Sequence, residues 1–325
     1  MMFLKRNEQI SRDDIRSQIQ QIQQPNVALP DWMKQVTFIA PTFERPGCIL
    51  NLLKSIRAYY PAIPVLVCDS SQRPLFDDEN HLPNGISWFT LPYEKGHTLG
   101  AARNHLVTQV KTKYFFLCDD DHVINQHTDL GRMFRFLEAE AYDIVGGCQD
   151  KNDYGTAIFE QIGDIVYQRF FEHHGEIRPG VVRCDRVSNT FLARTAAVNQ
   201  VPWEDRVYGS EHAEFFLRAT WHGLKIAQMN QTYVDHKRDC EHTSGVIGHL
   251  FGRFLPHRDR HYQKLRDGGE KLLGLSSKQL EQKYCWEKNG IQKIISTQSQ
   301  QSKQKFMALM SVARPKEKQN AKIQS

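Results

Sequence analysis

The sequence predicts an α/β protein with a mainly parallel sheet covered by helices on both faces. Two patterns lead to this class. From Val36 onward, segments rich in β-branched and aromatic residues alternate with helical periodicity, about every 25–30 residues. Acidic or hydroxyl side chains (Thr42, Asp69, Asp119 to Asp121) fall just where those strands end, the edge at which open α/β sheets bind ligands. A third observation fits both: 40% of the 325 residues are hydrophobic, enough for one large domain or two modest ones.

The elements follow in order. "RDDIRSQIQQIQQP" reads as a polar helix stopped at Pro25, then a Pro-bounded linker to Pro30. "QVTFIAPT" is a strand and "GCILNLLKSIRAYYP" a helix ended by Pro61. "IPVLVCDSS" is a second strand, and "TLGAARNHLVTQV" a helix entered through Gly96 and Gly100. "KYFFLCDDD" is the next strand, "DLGRMFRFLEAEA" a helix, and "YDIVGG" a strand closed by paired glycines. "VVRCDRVSNTFLART" reads as strand, turn, strand. "SEHAEFFLRATWHG" is a helix capped by Gly223, and "LKIAQMNQTYVDH" a strand. The expected organisation is a helical extension and linker over 1–34, the main α/β domain over 35–245 and a basic C-terminal extension over 246–325. From about Ser296 a Gln-, Ser- and Lys-rich tail reads as loosely ordered, with a short helix at Phe306–Val312.

The net charge of +5 is too mild to argue for nucleic acid, and neither zinc-finger spacing nor an aromatic RNA-binding strand occurs. The seven cysteines, Cys48, Cys68, Cys118, Cys148, Cys184, Cys240 and Cys285, are scattered without a CxxC pair. That suits a reducing compartment better than a disulfide framework. No apolar run approaches the roughly 20 residues that cross a bilayer, and the amino terminus lacks a signal peptide's apolar centre. The expectation is a soluble intracellular protein.

In "KYFFLCDDDHVI" four apolar side chains lead into three consecutive carboxylates, which crowd like charges at the end of a buried segment. Hard divalent cations prefer carboxylate oxygens, and Mg²⁺ or Mn²⁺ takes one or two of them together with substrate phosphates. A strand-end Asp-x-Asp supplies one carboxylate for metal and another for a sugar hydroxyl. The plain alternative is a solvated acidic loop. Asp69 would accept from a nucleobase or ribose, or else close an Asx turn. Gly96 and Gly100 permit close approach at a helix start, where phosphate is favoured, and Arg103 could pair with Asp69 or with phosphate. Asp235-His236 ends a late strand. The pairs at Glu172–His174 and Glu241–His242 carry no zinc spacing and are assigned to surface or packing. Glu211, His212 and Glu214 open one helix. Any of them could be a general base, and an acidic first turn suited to the helix dipole is the alternative.

"TFERPGCILNLLKSIRAYYP", "DSSQRP", "KGHTLGAARN", "TKYFFLCDDDHVI", "YDIVGG", "VSNTFLART", "HAEFFLRA" and "VDHKR" together carry a resemblance over roughly residues 36–240. In order and spacing they resemble nucleotide-sugar-dependent glycosyltransferases of the GT-A fold, in particular the ganglioside type of β-1,4-N-acetylgalactosaminyltransferase. The resemblance implies an inverting, metal-dependent transfer of a sugar, N-acetylgalactosamine, from a UDP donor to a hydroxyl of a glycan or glycolipid acceptor. It implies Thr42 and Arg45 in a uridine pocket, Asp69 on uracil or ribose, and Arg103 beside the acidic cluster. Asp119 and Asp120 would hold ribose and donor sugar, with Asn189 lining the sugar pocket. Asp121 and His236 would ligate Mn²⁺ or Mg²⁺, and Lys237 and Arg238 would offset diphosphate charge. Where many relatives carry Glu-Asp, this chain reads Glu211-His212, which leaves the base open between Glu214 and His212, with Glu211 orienting either. The alternatives are another UDP-sugar (glucose, galactose or N-acetylglucosamine), a glycan-binding relative without turnover, and a metal-dependent phosphoesterase. The expected location is the bacterial-type cytoplasm. The basic stretch "GRFLPHRDRHYQKLRDGGEKLLG" would either dock on anionic lipid at the inner face of the membrane or pack on the catalytic domain.

Overall fold

The computed structural model describes residues 10–23, 28–77, 80–82, 85–91, 98–151, 155–162, 165–205, 211–237 and 270–276. The tail helix expected at Phe306–Val312 lies outside them.

Helix α1 (Arg12–Gln21) starts at Ser11, whose hydroxyl accepts the Asp14 N–H at 3.1 Å. β1 (Val36–Thr42) is buried along its length and leads into α2 (Pro46–Tyr59), with Pro in the first turn where no N–H is needed. β2 (Val65–Asp69), the short β3 (Asn80–Leu82) and β4 (Ile86–Thr90) follow. Thr98 caps α3 (Leu99–Gln109), accepting the Ala101 N–H at 3.2 Å. β5 (Tyr114–Cys118) runs into the aspartates, and β6 (His122–Val123) leaves them. Asp129 caps α4 (Leu130–Ala139). β7 (Ile144–Gln149), β8 (Ala157–Ile162), β9 (Ile165–Phe170), β10 (Gly175–Arg178), β11 (Val181–Cys184) and β12 (Thr190–Arg194) come next. The chain continues through α5 (Thr195–Asn199), α6 (Glu211–Trp221) and β13 (Ile226–His236). Gly223, which the sequence reading placed as the α6 cap, takes φ +85°, a conformation glycine adopts without steric cost.

The main sheet has the order β10-β11-β13-β7-β12-β5-β1-β2-β4-β3, with β6 paired to β13. Its centre, β5-β1-β2-β4, is wholly parallel. β12 enters antiparallel between β5 and β7, and β13 returns parallel to β7. β8 and β9 form a second sheet with β14 (Glu270–Ser276), a strand from the C-terminal extension that the sequence reading did not anticipate.

Successive side chains of a strand point to opposite faces, and the core divides accordingly. Phe38, Val65, Val67, Tyr114 and Phe116 pack with α1, α2 and α4 on one face. Ile39, Leu66, Phe115 and Leu117 pack with α3, α5 and α6 on the other. Helix α1 belongs to the first core: Ile15 and Ile19 are 2% and 0% exposed. Cys68, Cys118, Cys148 and Cys184 are free and buried, while Cys48 is disulfide-bonded. Among the described residues, no helix is long and apolar enough to cross a membrane.

Candidate active site

Strand register assembles the site. β1 and β2 run in phase, so Thr42 lies beside Asp69 at their carboxyl ends. Next to β1, β5 ends at Cys118, and the chain turns back: the His122 N–H donates to the Asp119 carbonyl at 3.1 Å. Asp120 and Asp121 occupy the middle of that turn, so the three carboxylates fan apart. Thr190 of β12 pairs with Cys118, which places Asn189 against Asp119. His236 of β13 pairs with His122, which places it against Asp121.

Each carboxylate has its own partners. Asp119 accepts from Arg103 Nη2 at 3.1 Å and Asn189 Nδ2 at 3.0 Å. Asp120 accepts from the Thr42 hydroxyl at 2.7 Å and from Arg45 Nη2. Asp121 accepts from Arg45 Nη1 at 2.7 Å and lies 3.5 Å from His236 Nε2. Two arginines thus balance the crowded charge within the protein. Burial pushes the Asp120 carboxyl up to about 7 against the pull of Arg45. For Asp121, burial is outweighed by the His236 hydrogen bond and the Arg45 charge, which hold its carboxyl well below the usual range.

Arg103 is fully buried and also donates to Glu211 Oε1 at 3.0 Å, so it ties α3 to both the aspartate turn and the start of α6. It pairs with neither Asp69 nor an open phosphate position. Both Asp69 oxygens take backbone N–H donors, Ser71 at 3.0 Å and Leu75 at 2.9 Å, which is the Asx-turn arrangement. Burial raises its pKa. Gly100 has no room for a ligand: a Cβ there would lie 2.9 Å from the Glu204 carbonyl oxygen. Its smallness lets α3 dock on the segment before α6, where Asn104 exchanges two hydrogen bonds with the Trp203 backbone. Gly96 and Arg238 lie outside the described residues. The Lys237 N–H donates to the Asp121 carbonyl at 2.8 Å.

On α6, Glu214 is 0% exposed and both of its oxygens are held by Arg218 one turn on. His212 is half-buried at the helix start. Its Nε2 lies 2.6 Å from the Val187 carbonyl oxygen, so Nε2 carries the hydrogen and Nδ1 the lone pair. Burial, reinforced by the Arg186 and Arg103 charges, pushes its pKa well below the ordinary value, so the ring is neutral at pH 7.

The donor set fits a divalent cation. Asp121, His122 and His236 each offer an atom within 4.8 Å of the others. His122 was not among the sequence candidates, and its own bonds set it apart from the other two. Its Nδ1 accepts the Asp119 N–H at 3.2 Å, which leaves the ring hydrogen on Nε2; the Gln149 side-chain amide lies 2.9 Å from Nε2 through its nitrogen, and turning that carboxamide over presents its oxygen to the ring hydrogen. An imidazole bonded at both nitrogens braces the turn, so Asp121 and His236 are the better ligand pair. Thr190 and Gln149, also missed, complete that brace. Strand pairing alone brings them in, and the sequence carries no local sign of it.

A model of the family described as "Glycosyl transferase family 2" matches residues 37–201. The chain belongs to glycosyl transferase family 2. The match takes in Thr42, Arg45, Asp69, Arg103, the three aspartates and Asn189, while His212, Glu214 and His236 follow it. Human β-1,4 N-acetylgalactosaminyltransferase 1 is 33% identical over 212 residues, 62% of this chain and 38% of that protein. Mouse β-1,4 N-acetylgalactosaminyltransferase 2 is 34% identical over 186 residues, 56% of this chain and 35% of that protein. The family 2 chain therefore spans little more than a third of the length of these curated relatives. The crystal structure of Staphylococcus aureus TarS 1–349 superposes with a TM-score of 0.44 at 18% identity, over 62% of this chain and 60% of that one.

Proposed function

We propose that this family 2 protein transfers a sugar from a UDP donor to a hydroxyl of a glycan or glycolipid acceptor, with inversion at the anomeric carbon and with Mn²⁺ or Mg²⁺ bound. The likeness to the curated relatives favours N-acetylgalactosamine as the sugar. One observation carries the reading. Among the described residues, Arg45 Nε, Arg103 Nε, Asn189 Oδ1 and His236 Nδ1 are buried without a hydrogen-bond partner, and the side chains that bear them all contact the aspartates of one turn. Buried polar atoms are almost always satisfied, so a cluster of orphans marks a place built for a polar ligand.

The roles follow from the geometry. Asp121 and His236 would hold the cation, which neutralises the developing charge on the departing diphosphate. Arg45, now spanning Asp120 and Asp121, is within reach of the same phosphates, and Lys237 adds charge beside them. Asn189 donates to Asp119, which leaves its carboxamide oxygen for a donor-sugar group. His212 is the better base: its Nδ1 lone pair has no partner among the described residues, whereas Glu214 would first have to leave Arg218. The base takes the acceptor hydroxyl proton, the acceptor oxygen bonds the anomeric carbon, and UDP departs with the electron pair of the broken bond.

Incubating the protein with Mn²⁺ and each UDP-sugar in turn, and following UDP release by slow hydrolysis, tests the reading without an acceptor. UDP-N-acetylgalactosamine should be turned over fastest. Silence with every donor would overturn it in favour of a glycan-binding protein.

A further inference from the structure

Between the end of β1 and the start of α2 the chain turns within three residues, Phe43, Glu44 and Arg45. Arg45 is restricted by the proline after it and takes φ −126°, while the Cys48 and Ile49 N–H groups hold its carbonyl at 3.1 and 3.2 Å. The reversal falls to Glu44, which takes φ +53°. That left-handed conformation crowds Cβ against a carbonyl oxygen. Glycine adopts it freely and aspartate or asparagine tolerates it, an allowance glutamate lacks. Among the described residues, two others besides glycines share it, Asp150 at +65° and Phe171 at +63°. Asp150 follows β7 and accepts the His236 N–H at 2.8 Å, so both acidic exceptions adjoin a partner of Asp121.

Glu44 is held in this conformation from the loop after β2. Its N–H donates to Ser71 Oγ at 2.8 Å, its Oε1 accepts the Gln72 N–H at 2.6 Å, and its Oε2 lies 4.0 Å from Arg12 Nη1. Ser71 is itself buried and fixed, its N–H donating to Asp69 at 3.0 Å. The next residue, Arg45, forks over the acidic turn, with Nη1 on Asp121 at 2.7 Å and Nη2 on Asp120. Backbone strain persists only where the surroundings over-determine it, and it collects at functional sites.

We propose that Glu44 is a positioning residue for the donor site: its clamp on the loop after β2 fixes the direction from which Arg45 spans Asp120 and Asp121. This rests on the UDP-donor reading above and adds to it a residue that acts only through another. A guanidinium is a planar, rigid fork, so its paired bonds to two carboxylates depend on the angle at which the side chain leaves the backbone. A strained residue one position earlier, tied to the neighbouring strand's loop, sets that angle.

The test titrates UDP calorimetrically into the full chain in Mn²⁺, with thermal melting alongside. Glu44→Gly keeps the left-handed turn without strain but loses the side-chain clamp. It should weaken UDP binding by about three- to tenfold while the melting temperature stays close to that of the wild type. Glu44→Gln, which keeps an oxygen for the Gln72 N–H, should recover most of the affinity. In an Arg45→Lys background, where a charge remains but no fork, Glu44→Gly should cost little more. UDP binding by Glu44→Gly as tight as in the wild type overturns the proposal. So does an undiminished loss in the Arg45→Lys background, which would mean that Glu44 does not act through Arg45. An equal loss in Glu44→Gln and Glu44→Gly also overturns it, assigning the effect to the charge facing Arg12. Failure of the wild type to bind UDP at all would instead strike the donor reading on which this one rests.

Discussion

Three adjacent aspartates behave as three different groups because each is held by different side chains. Asp119 is gripped by Arg103 and Asn189, Asp120 is buried under Thr42 and Arg45, and Asp121 faces Arg45 and His236. The same contrast separates the two candidate bases. Glu214→Gln removes half of a buried ion pair and should cost about 3 kcal/mol in chemical denaturation, while UDP affinity per folded molecule is kept. His212→Ala should lower kcat about a hundredfold or more with UDP affinity per folded molecule kept, at a cost of about 1–3 kcal/mol because the Val187 carbonyl loses its donor, and transfer kinetics with calorimetry would separate the two effects. A lowered pKa means that the imidazole stays neutral, and able to accept a proton, below its ordinary range. With saturating donor and metal, kcat should therefore hold flat as pH falls through 6.5 and drop only at lower pH. A limb centred at or above 6.5 would contradict the assignment of His212. The place of the aspartates was legible, since a buried apolar strand runs straight into them. Their partners were not: Arg45 and Asp121 are far apart in sequence, and only the parallel pairing of β1 with β5 joins them.

Among the elements, the sharpest requirement is at the paired glycines of β7. A Cβ on Gly146 would lie 2.4 Å from Val187 Cβ, closer than atoms can approach. Val187 also supplies the carbonyl that fixes His212, and Asn189 follows two residues later. Gly146→Ala should therefore cost about 1–3 kcal/mol of stability and also raise KM for the donor by displacing this segment. Denaturation together with donor-dependent kinetics checks both effects, and unchanged values would mean that the segment yields freely. β1, β2, β5 and β7 were readable at this scale because they are buried nearly throughout, and α2 because it carries a clear stop, Pro61, just beyond its end. β3, β4, β6, β8 to β10 and β14 were not called. β3 and β6 have only three and two residues and β10 ends the main sheet, while β8, β9 and β14 pair with one another in a separate sheet, where neighbours rather than local pattern decide the conformation.

For the molecule as a whole, the parallel centre sets the strand ends in one row, and the antiparallel β12 with the returning β13 closes the row from the other side. Helix α1, read from sequence as an extension, is packed into the same core as the family domain. Ile19→Ala should destabilise the whole protein by about 2–5 kcal/mol in a single denaturation transition. A separate early transition would instead mark α1 as an independent appendage. The acidic turn remains the centre on which every role depends. Calorimetric titration of UDP into wild type and Asp121→Ala, each in Mn²⁺ and again in EDTA, tests it most directly. Wild type should bind UDP in Mn²⁺ and lose most of that affinity in EDTA, and the variant should bind weakly in both. Equal UDP affinity of the wild-type protein with and without metal would contradict the role assigned to Asp121 and, with it, the proposed chemistry of the site.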